Sequence, residues 1–445
     1  MSARPQRPAR LRFVDRALDA RTGTLRLSWQ LAHEQGEQTL FEHFELGQPA
    51  VDPDQPARAR ALNAALDLLH WIAGISYWKL ACCGAVAFEH ARPSPETAAL
   101  LTALYRDGLA ELAFVNRLSA PWWPDFLAAP SSESKPAAAL GLAPRTLLPL
   151  GGGKDSLVAL ERLRATGVEP ITVQVGSAAL IAEVAAVAGT EHRRIERRLD
   201  PALAALNRAG AINGHVPITA INAAVLLVAA LWWDCNQVVF ANERSASVPT
   251  MHTVGGVAVN HQWSKGWAFE QAFEQCVQHE VAADLAVYSL LRRDSELAAC
   301  AEFARLDRYH AVFSSCNRNF HLDGPRTERW CRQCPKCRFV FLGLAPFLSP
   351  TRLTDIFGED LLADPAQVEG FAALLELDGP RPFECVGEAG ESRSALAALA
   401  ADPVWREHAV VRALAEPVAA LAPRPLAAWQ VASGPHGIPP PPPCV

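Results

Sequence analysis

The amino-acid sequence predicts an α/β fold with a parallel sheet in its central part. Strand and helix signals alternate between residues 145 and 345, which is typical of parallel α/β sheets. Within this range a glycine-rich segment, GGGKDS at 151–156, stands between a buried strand and a helix. We therefore predict a strand-rich N-terminal α+β domain with a linker (1–144), a central α/β domain (145–345) and a mainly helical C-terminal region with a proline-rich tail (346–445).

The N-terminal part combines short strands with helices. Apolar and polar residues partly alternate in three stretches, as they do in half-buried strands. These stretches are 11–14, 24–29 and 39–44. Helical periodicity follows over 57–83, and a second helix is predicted over 95–117. Residues 118–145 are rich in Pro, Ser and Ala, which indicates a linker.

The central part begins with a predicted strand–helix–strand unit. Residues 145–150 form an apolar run that predicts a buried strand. After the glycine segment, apolar residues recur at helical spacing over 157–165, and Gly167 is a suitable stop for that helix. Residues 171–175 predict the next strand.

Composition and charge exclude several classes of protein. The net formal charge is −6, so the basic excess typical of nucleic-acid binders is absent. The longest apolar stretch, 218–233, has sixteen residues, whereas a membrane span needs about twenty, so we predict a buried helix. The eleven cysteines are odd in number and no secretory signal precedes them, which argues against a disulfide scaffold. We expect a cytoplasmic protein without a nucleic-acid or membrane partner.

The GGGKDS segment has the chemistry of a phosphate site. Glycines let the backbone approach an anion, and the free N–H groups and dipole of a helix start favour negative charge. Lys154 adds a positive charge and Ser156 a donor, whereas Asp155 would hold Mg²⁺ or cap the helix. The Walker and dinucleotide-binding patterns do not fit. A glycine-rich turn with a capping aspartate is the alternative interpretation.

Four cysteines have the spacing of metal ligands. Cys331, Cys334 and Cys337 are each three residues apart, and Cys316 lies fifteen residues before the first of them. Four thiolates suit tetrahedral Zn²⁺ and leave no open position, so we predict a structural zinc site. An iron–sulfur cluster and ordinary free thiols are the alternatives.

Polar residues follow a predicted strand at 237–241. In α/β sheets, ligands bind beyond the carboxyl ends of the strands. Asn242, Glu243 and Arg244 are therefore candidates for substrate binding. The alternative is that they form hydrogen bonds within a loop.

Three further side chains are candidates for proton transfer or substrate contact. His215 and His261 could act as general bases, although an isolated histidine is more often structural. Cys385 lies in the segment PFECVGE at 382–388, where a thiolate or a carboxylate could abstract a proton. The alternative for Cys385 is a buried thiol that acts as a small hydrophobic residue.

The GGGKDS segment resembles the pyrophosphatase loop, usually SGGxDS, of the N-type ATP pyrophosphatases. This resemblance implies a PP-loop domain of the adenine nucleotide alpha hydrolase-like type, in which ATP is cleaved to AMP and diphosphate. The ATP-binding residues that it implies are Gly151, Gly152, Gly153, Lys154, Asp155 and Ser156. Gly151 replaces the usual serine, so one hydroxyl donor is lost. The late cysteine cluster also resembles 7-cyano-7-deazaguanine synthase, which keeps a nucleobase- or tRNA-modifying enzyme as an alternative.

The order of the motifs resembles one family more closely, over about residues 10–395. The segments are GISYWK (74–79), GGGKDS, NGHVP (213–217), ANERSAS (241–247), NHQWSK (260–265), WCRQCPKC (330–337) and PFECVGE. Together they resemble the MurL-type UDP-N-acetylmuramoyl-L-alanyl-L-glutamate epimerases of peptidoglycan precursor synthesis. The family implies conversion of the terminal L-Glu of UDP-MurNAc-L-Ala-L-Glu to D-Glu through an acyl-adenylate, with ATP, Mg²⁺ and a structural Zn²⁺.

On this basis we assign roles to particular residues. The expected catalytic residues are Lys154, Asp155, His215 and Cys385. The expected substrate contacts are Asn242, Glu243, Arg244 and His261. A zinc-stabilised nucleotide-binding protein without turnover is the alternative from another class.

Overall fold

The computed structural model describes residues 10–33, 36–82, 84–130, 137–320 and 328–440. The strands are β1 (Arg10–Asp19), β2 (Thr24–His33), β3 (Gly36–Glu45), β4 (Val86–Phe88), β5 (Thr146–Pro149), β6 (Ile171–Val175), β7 (His192–Leu199), β8 (Gln237–Phe240), β9 (Met251–His252), β10 (Ala258–Val259) and β11 (Ala286–Ser289). The helices are α1 (Pro56–Ala73), α2 (Ile75–Trp78), α3 (Pro95–Asp107), α4 (Ala110–Val115), α5 (Lys154–Ala165), α6 (Ala179–Ala188), α7 (Pro201–Arg208), α8 (Ile218–Trp232), α9 (Trp267–Cys276), α10 (Glu296–Phe303), α11 (Pro335–Leu344), α12 (Pro350–Phe357), α13 (Val368–Leu374), α14 (Ala389–Ala401) and α15 (Ala409–Ala420).

A nine-stranded sheet organises the molecule, with the strand order β11-β8-β5-β6-β7-β3-β2-β1-β4. The five strands from β11 to β7 are parallel to one another. The chain proceeds from β5 to β6 on one side, and returns to place β8 on the other side of β5. The carboxyl end of β5 is therefore the point at which the strand order reverses, where α/β sheets bind ligands. The predicted α/β class with a parallel sheet is confirmed.

The N-terminal strands extend the same sheet. β3 pairs antiparallel with β7, and Phe44 lies opposite Arg197. The three predicted strands of this part are confirmed as β1, β2 and β3. The hydrogen-bonded sheet thus crosses the predicted boundary at residue 144, and the domain boundaries stay predictions.

Two large hydrophobic cores cover the two faces of the parallel part of the sheet. Successive residues of a strand point to opposite faces, so Leu147 packs with α1 and α8, whereas Leu148 packs with α5, α10 and α11. The apolar stretch predicted as a buried helix is α8, and all but three of its residues are buried. No helix in the described part of the chain is long and apolar enough to cross a membrane.

Two long predicted helices are interrupted at glycines. The helix predicted over 57–83 breaks at Gly74 into α1 and α2. A Cβ atom on Gly74 would lie 2.5 Å from the Phe13 ring, so only glycine fits there. The helix predicted over 95–117 breaks at Gly108 and Leu109 into α3 and α4. Tertiary packing, which periodicity does not reveal, therefore requires glycine at the first break.

The predicted linker and the predicted C-terminal region differ in secondary structure. The described residues of 118–145 contain no helix or strand, and residues 131–136 lie outside the described residues. That this segment links two domains stays a prediction. The C-terminal region consists mainly of helices. In the predicted proline-rich tail, Ile438 packs against the second core, and residues 441–445 lie outside the described residues.

Candidate active site

The glycine segment forms the tight turn between β5 and α5, as predicted. Gly152 has a φ of +77°, in the left-handed region that favours glycine. A Cβ atom on Gly153 would lie 2.6 Å from the Ser315 hydroxyl oxygen. The Gly152 carbonyl accepts a hydrogen bond from the Ser314 amide at 2.9 Å. The chain just before Cys316 therefore packs directly on the turn and leaves no room for a side chain at Gly153.

Lys154 points into the protein at the start of α5. Its ammonium group is fully buried and pairs with Asp155 and Glu296. Burial alone would lower the pKa of Lys154, but these two carboxylates raise it well above its ordinary value. The Lys154 side chain is therefore a fixed buried cation within a carboxylate cluster.

Three carboxylates meet beside this lysine. Oxygen atoms of Asp155, Glu243 and Glu296 all lie within 4.8 Å of one another. Burial, and then the charges of Glu296 and Asp155, raise the pKa of Glu243. For Glu296 burial acts in the same direction, but the charges of Lys154 and Lys336 outweigh it and lower the pKa. These hard oxygen donors are the type that Mg²⁺ prefers.

Asn242 and Arg244, the other two predicted substrate contacts of this segment, make other interactions than Glu243. The Asn242 carbonyl accepts a hydrogen bond from the Ser289 hydroxyl at 2.6 Å. The Arg244 guanidinium donates to the Val431 carbonyl at 3.0 Å and lies over the Trp429 ring. Of the three candidates, Glu243 is the one that the fold brings to Asp155.

A second polar cluster surrounds Cys385. The Lys265 Nζ atom lies 3.3 Å from the sulfur. His261 Nδ1 lies 2.6 Å from a carboxylate oxygen of Glu111. Burial alone would raise the pKa of Cys385, but the charge of Lys265 and the hydrogen bond and charge of His261 outweigh it, and the pKa falls to about 6. Burial alone would lower the pKa of His261, but Cys385 and Glu111 raise it to about 9.

His215, which was predicted to be catalytic, and Glu384 border this cluster. The His215 ring lies 4.1 Å from the His261 ring, centre to centre. Burial, together with the charges of His261 and Lys265, lowers the pKa of His215 to about 3, so this ring is neutral at physiological pH. The Glu384 carboxylate accepts a hydrogen bond from the Asn317 amide, next to Cys316. The Cys385 loop is thus tied to the chain that carries the cysteine cluster.

Hydrogen bonds hold the separate sequence segments together. The Asn260 side chain donates to the Ala246 carbonyl at 3.0 Å, which links NHQWSK to ANERSAS. The Gln262 side chain donates to the Val386 carbonyl at 3.1 Å, which links NHQWSK to PFECVGE. The segment that carries His261 and Lys265 therefore bridges the other two.

Buried Arg292 fixes the backbone on both sides of the site. Its guanidinium donates to the Glu243 carbonyl at 2.9 Å and to the Lys265 carbonyl at 2.6 Å. The Glu270 carboxylate accepts from the same guanidinium at 2.6 Å. One charged pair thus sets the relative position of the carboxylate cluster and the thiol cluster.

The four predicted metal-ligating cysteines come together. The sulfur of Cys316 lies 4.0 Å from that of Cys334, and Cys331 lies 3.8 Å from Cys337. The Cys334 and Cys337 sulfurs are 3.4 Å apart. Tetrahedral zinc with Zn–S bonds of about 2.3 Å places its sulfurs about 3.8 Å apart. The four thiols therefore fit one such ion.

The sequence predicted no role for four residues of the site. They are Glu111, Lys265, Arg292 and Glu296. Glu296 lies beyond the carboxyl end of β11, so the rule that selected Glu243 would have found it had this short strand been predicted. Glu111 and Arg292 carry no local signal, and the role of Lys265 depends on its tertiary contact with Cys385.

Comparisons with known proteins match most of the chain. Two family models match, the MurL N-terminal domain over residues 2–290 and the MurL C-terminal domain over residues 312–428. The chain belongs to the MurL family. The resemblance predicted from motif order is confirmed.

Relatives of this MurL-family chain carry one name, UDP-N-acetyl-alpha-D-muramoyl-L-alanyl-L-glutamate epimerase. The protein from Xanthomonas oryzae pv. oryzae is 50% identical, over 90% of this chain and 88% of its own length. The protein from Micromonospora sp. is 41% identical over 96% of each chain. The protein from Salinispora tropica is 41% identical, over 95% of this chain and 90% of its own.

Both matched MurL ranges contribute to the site. Glu111, His261 and Lys265 lie in the N-terminal range, whereas Cys385 lies in the C-terminal range. The thiol cluster is therefore assembled only when the two ranges pack together.

Proposed function

We propose that this MurL-family chain is an ATP-dependent epimerase that converts the terminal L-Glu of UDP-MurNAc-L-Ala-L-Glu to D-Glu. The names of its relatives support the substrate and the reaction. The observation that carries the proposal is the adjacency of two clusters, because the Lys265 ammonium interacts with both Glu243 and Cys385. A group activated at the glycine turn would lie beside a thiol able to take a proton.

ATP serves a chemical need in this reaction. Removing the α-proton of a free glutamate carboxylate would place a second negative charge next to the first. Adenylation of the carboxylate removes that charge and makes the carbonyl ester-like, so the α-proton becomes more acidic. Water then attacks the carbonyl, which releases AMP and leaves UDP-MurNAc-L-Ala-D-Glu with its carboxylate restored. Diphosphate is the other product of the adenylation.

In the proposed PP-loop domain, the turn between β5 and α5 binds the phosphates. The amides of Gly151, Gly152 and Gly153 and the Ser156 hydroxyl are its donors, and the helix dipole favours the anion. Asp155, Glu243 and Glu296 would hold Mg²⁺, since their oxygens converge. When bound, Mg²⁺ offsets phosphate charge at the bond that breaks.

The cysteine cluster has a structural role in this proposal. Four cysteine ligands leave zinc no open position for substrate. Cys316 follows directly on Ser314 and Ser315, which pack on the glycine turn, and precedes Asn317, which contacts Glu384. The zinc site would therefore hold both the nucleotide turn and the Cys385 loop in position.

Incubation of the purified chain with UDP-MurNAc-L-Ala-L-Glu, ATP and Mg²⁺ tests the proposal. We expect diphosphate release that depends on the dipeptide substrate, and D-Glu in the hydrolysed product. Inversion that proceeds equally well without ATP would contradict the proposed mechanism. Binding of ATP without diphosphate release would support a nucleotide-binding protein, and release only with a deazaguanine precursor or RNA would support a base-modifying enzyme.

A further inference from the structure

We propose that Glu111, His261 and Cys385 form a catalytic triad in which Glu111 positions a protonated His261, and His261 keeps Cys385 as the thiolate that removes the α-proton. The proposal rests on the epimerase function proposed above. It gives His261 the role of stabilising the thiolate in place of the predicted substrate contact, and adds Glu111 as a positioning residue.

The geometry of Glu111 and His261 supports this arrangement. The carboxylate oxygen and His261 Nδ1 lie 2.6 Å apart, and the two side chains are only 11% and 13% exposed. A carboxylate at Nδ1 fixes the ring orientation and leaves Nε2 as the nitrogen available to the thiol. The same order of carboxylate, imidazole and nucleophile recurs in hydrolases on unrelated folds.

The charges around Cys385 favour the thiolate. Three positive groups face it, namely His261 and Lys265 from the NHQWSK segment and Lys336 from α11. The negative charge of the neighbouring Glu384 carboxylate acts against the thiolate. The His215 ring lies tilted beside His261, and burial lowers the pKa of His215, so His215 is neutral and adds no charge to the cluster. Two cations within direct reach of one half-buried thiol are the recognised environment of a reactive cysteine.

The proton step is balanced as follows. The Cα–H bond of the adenylated glutamyl group breaks, an S–H bond forms at Cys385, and the electron pair passes into the adenylated carboxyl group. Water supplies a proton to the opposite face of Cα, and Cys385 returns its own proton to water. The triad is thereby restored to a thiolate and an imidazolium at the end of each turnover.

The reactivity of the thiol tests the triad independently of turnover. The full-length protein is alkylated with iodoacetamide across a pH series, and the peptide that contains Cys385 is quantified by mass spectrometry. We expect an inflection near pH 6 in the unchanged protein. Glu111→Gln should raise this inflection by about one unit, which slows alkylation below it about tenfold, and Glu111→Asp should restore part of the shift.

A second measurement separates the triad from the function on which it rests. Cys385→Ser should lose D-Glu formation by at least about 100-fold, while substrate-dependent diphosphate release persists. Glu407→Gln, an exposed change of the same kind, serves as the control for both assays, and circular dichroism verifies folding.

Each outcome has a distinct meaning. An unchanged alkylation profile in folded Glu111→Gln, or full epimerisation by Cys385→Ser, overturns the triad. A shifted profile in a protein that never forms D-Glu supports the triad's charge arrangement and overturns the proposed function.

Discussion

The Lys265 Nζ atom lies 3.3 Å from the sulfur of Cys385, and the same ammonium group interacts with Glu243 in the carboxylate cluster. One half-buried cation therefore connects the group suited to nucleotide chemistry with the group suited to proton transfer. It balances charge on both, since each cluster places anionic groups in a dry environment. The effects of changing Lys265 should consequently appear in the pH dependence of the reaction.

The thiolate is the active form of Cys385 in our proposal, so activity should fall as the pH drops through the thiol pKa of about 6. It should also fall above the His261 pKa of about 9, because the imidazolium is lost. Lys265→Met removes a cation that lies 3.3 Å from the sulfur, which raises the thiol pKa and moves the acidic limb of kcat/KM to higher pH. Lys265→Arg keeps the positive charge, so the acidic limb should stay close to its position in the unchanged protein. A limb that stays in place in Lys265→Met would argue against a role for this cation.

Asp155→Ala should abolish AMP formation while leaving the fold intact. Asp155 is the least buried acid of the cluster, with 23% of its side chain exposed, so its loss should cost little stability. We expect diphosphate release to fall at least about 100-fold, since a charge-stabilising group at the reacting phosphates is lost. Asp307→Ala, at a side chain that is 78% exposed, is the matched control. Normal AMP formation by Asp155→Ala would refute the assignment of the glycine turn.

Metal analysis should find about one zinc per chain, the stoichiometry of a single four-cysteine site. Cys334→Ser should lose the metal and lower the melting temperature by roughly 5 °C or more. It should also raise the KM for ATP, because Ser314 and Ser315 pack on the glycine turn beside Cys316. Cys82→Ser, a half-buried thiol outside the cluster, should retain the zinc. An iron absorbance in the purified protein would disprove the zinc assignment.

Arg292→Ala should destabilise the protein by about 3–5 kcal/mol, because it leaves the buried Glu270 carboxylate without its partner. The backbone carbonyls of Glu243 and Lys265 lose their shared donor as well. Urea denaturation measures the change in the free energy of unfolding. Arg293→Ala, at the exposed neighbouring position, should change it by less than about 0.5 kcal/mol. Equal stability of the two variants would show that the Arg292 pair is not structural.

The sequence by itself determined the features that depend on neighbouring residues along the chain. These are the β5–α5 turn with its glycines, the stop of α5 at Gly167, the buried helix α8 and the cysteine spacing. Local periodicity, turn chemistry and ligand spacing act over a few residues, so they can be seen before folding. The order of the motifs also indicated the family.

Only the tertiary structure decided which charges meet. Glu111, His261 and Cys385 are separated by more than a hundred residues from one to the next, and no local pattern links them. Packing across the sheet likewise decides that Lys154 is buried, that Glu296 lies beside Asp155 and that Arg244 points away from the carboxylate cluster. Burial and pairing set the charge state of these groups, and both exist only once distant parts of the chain are in contact.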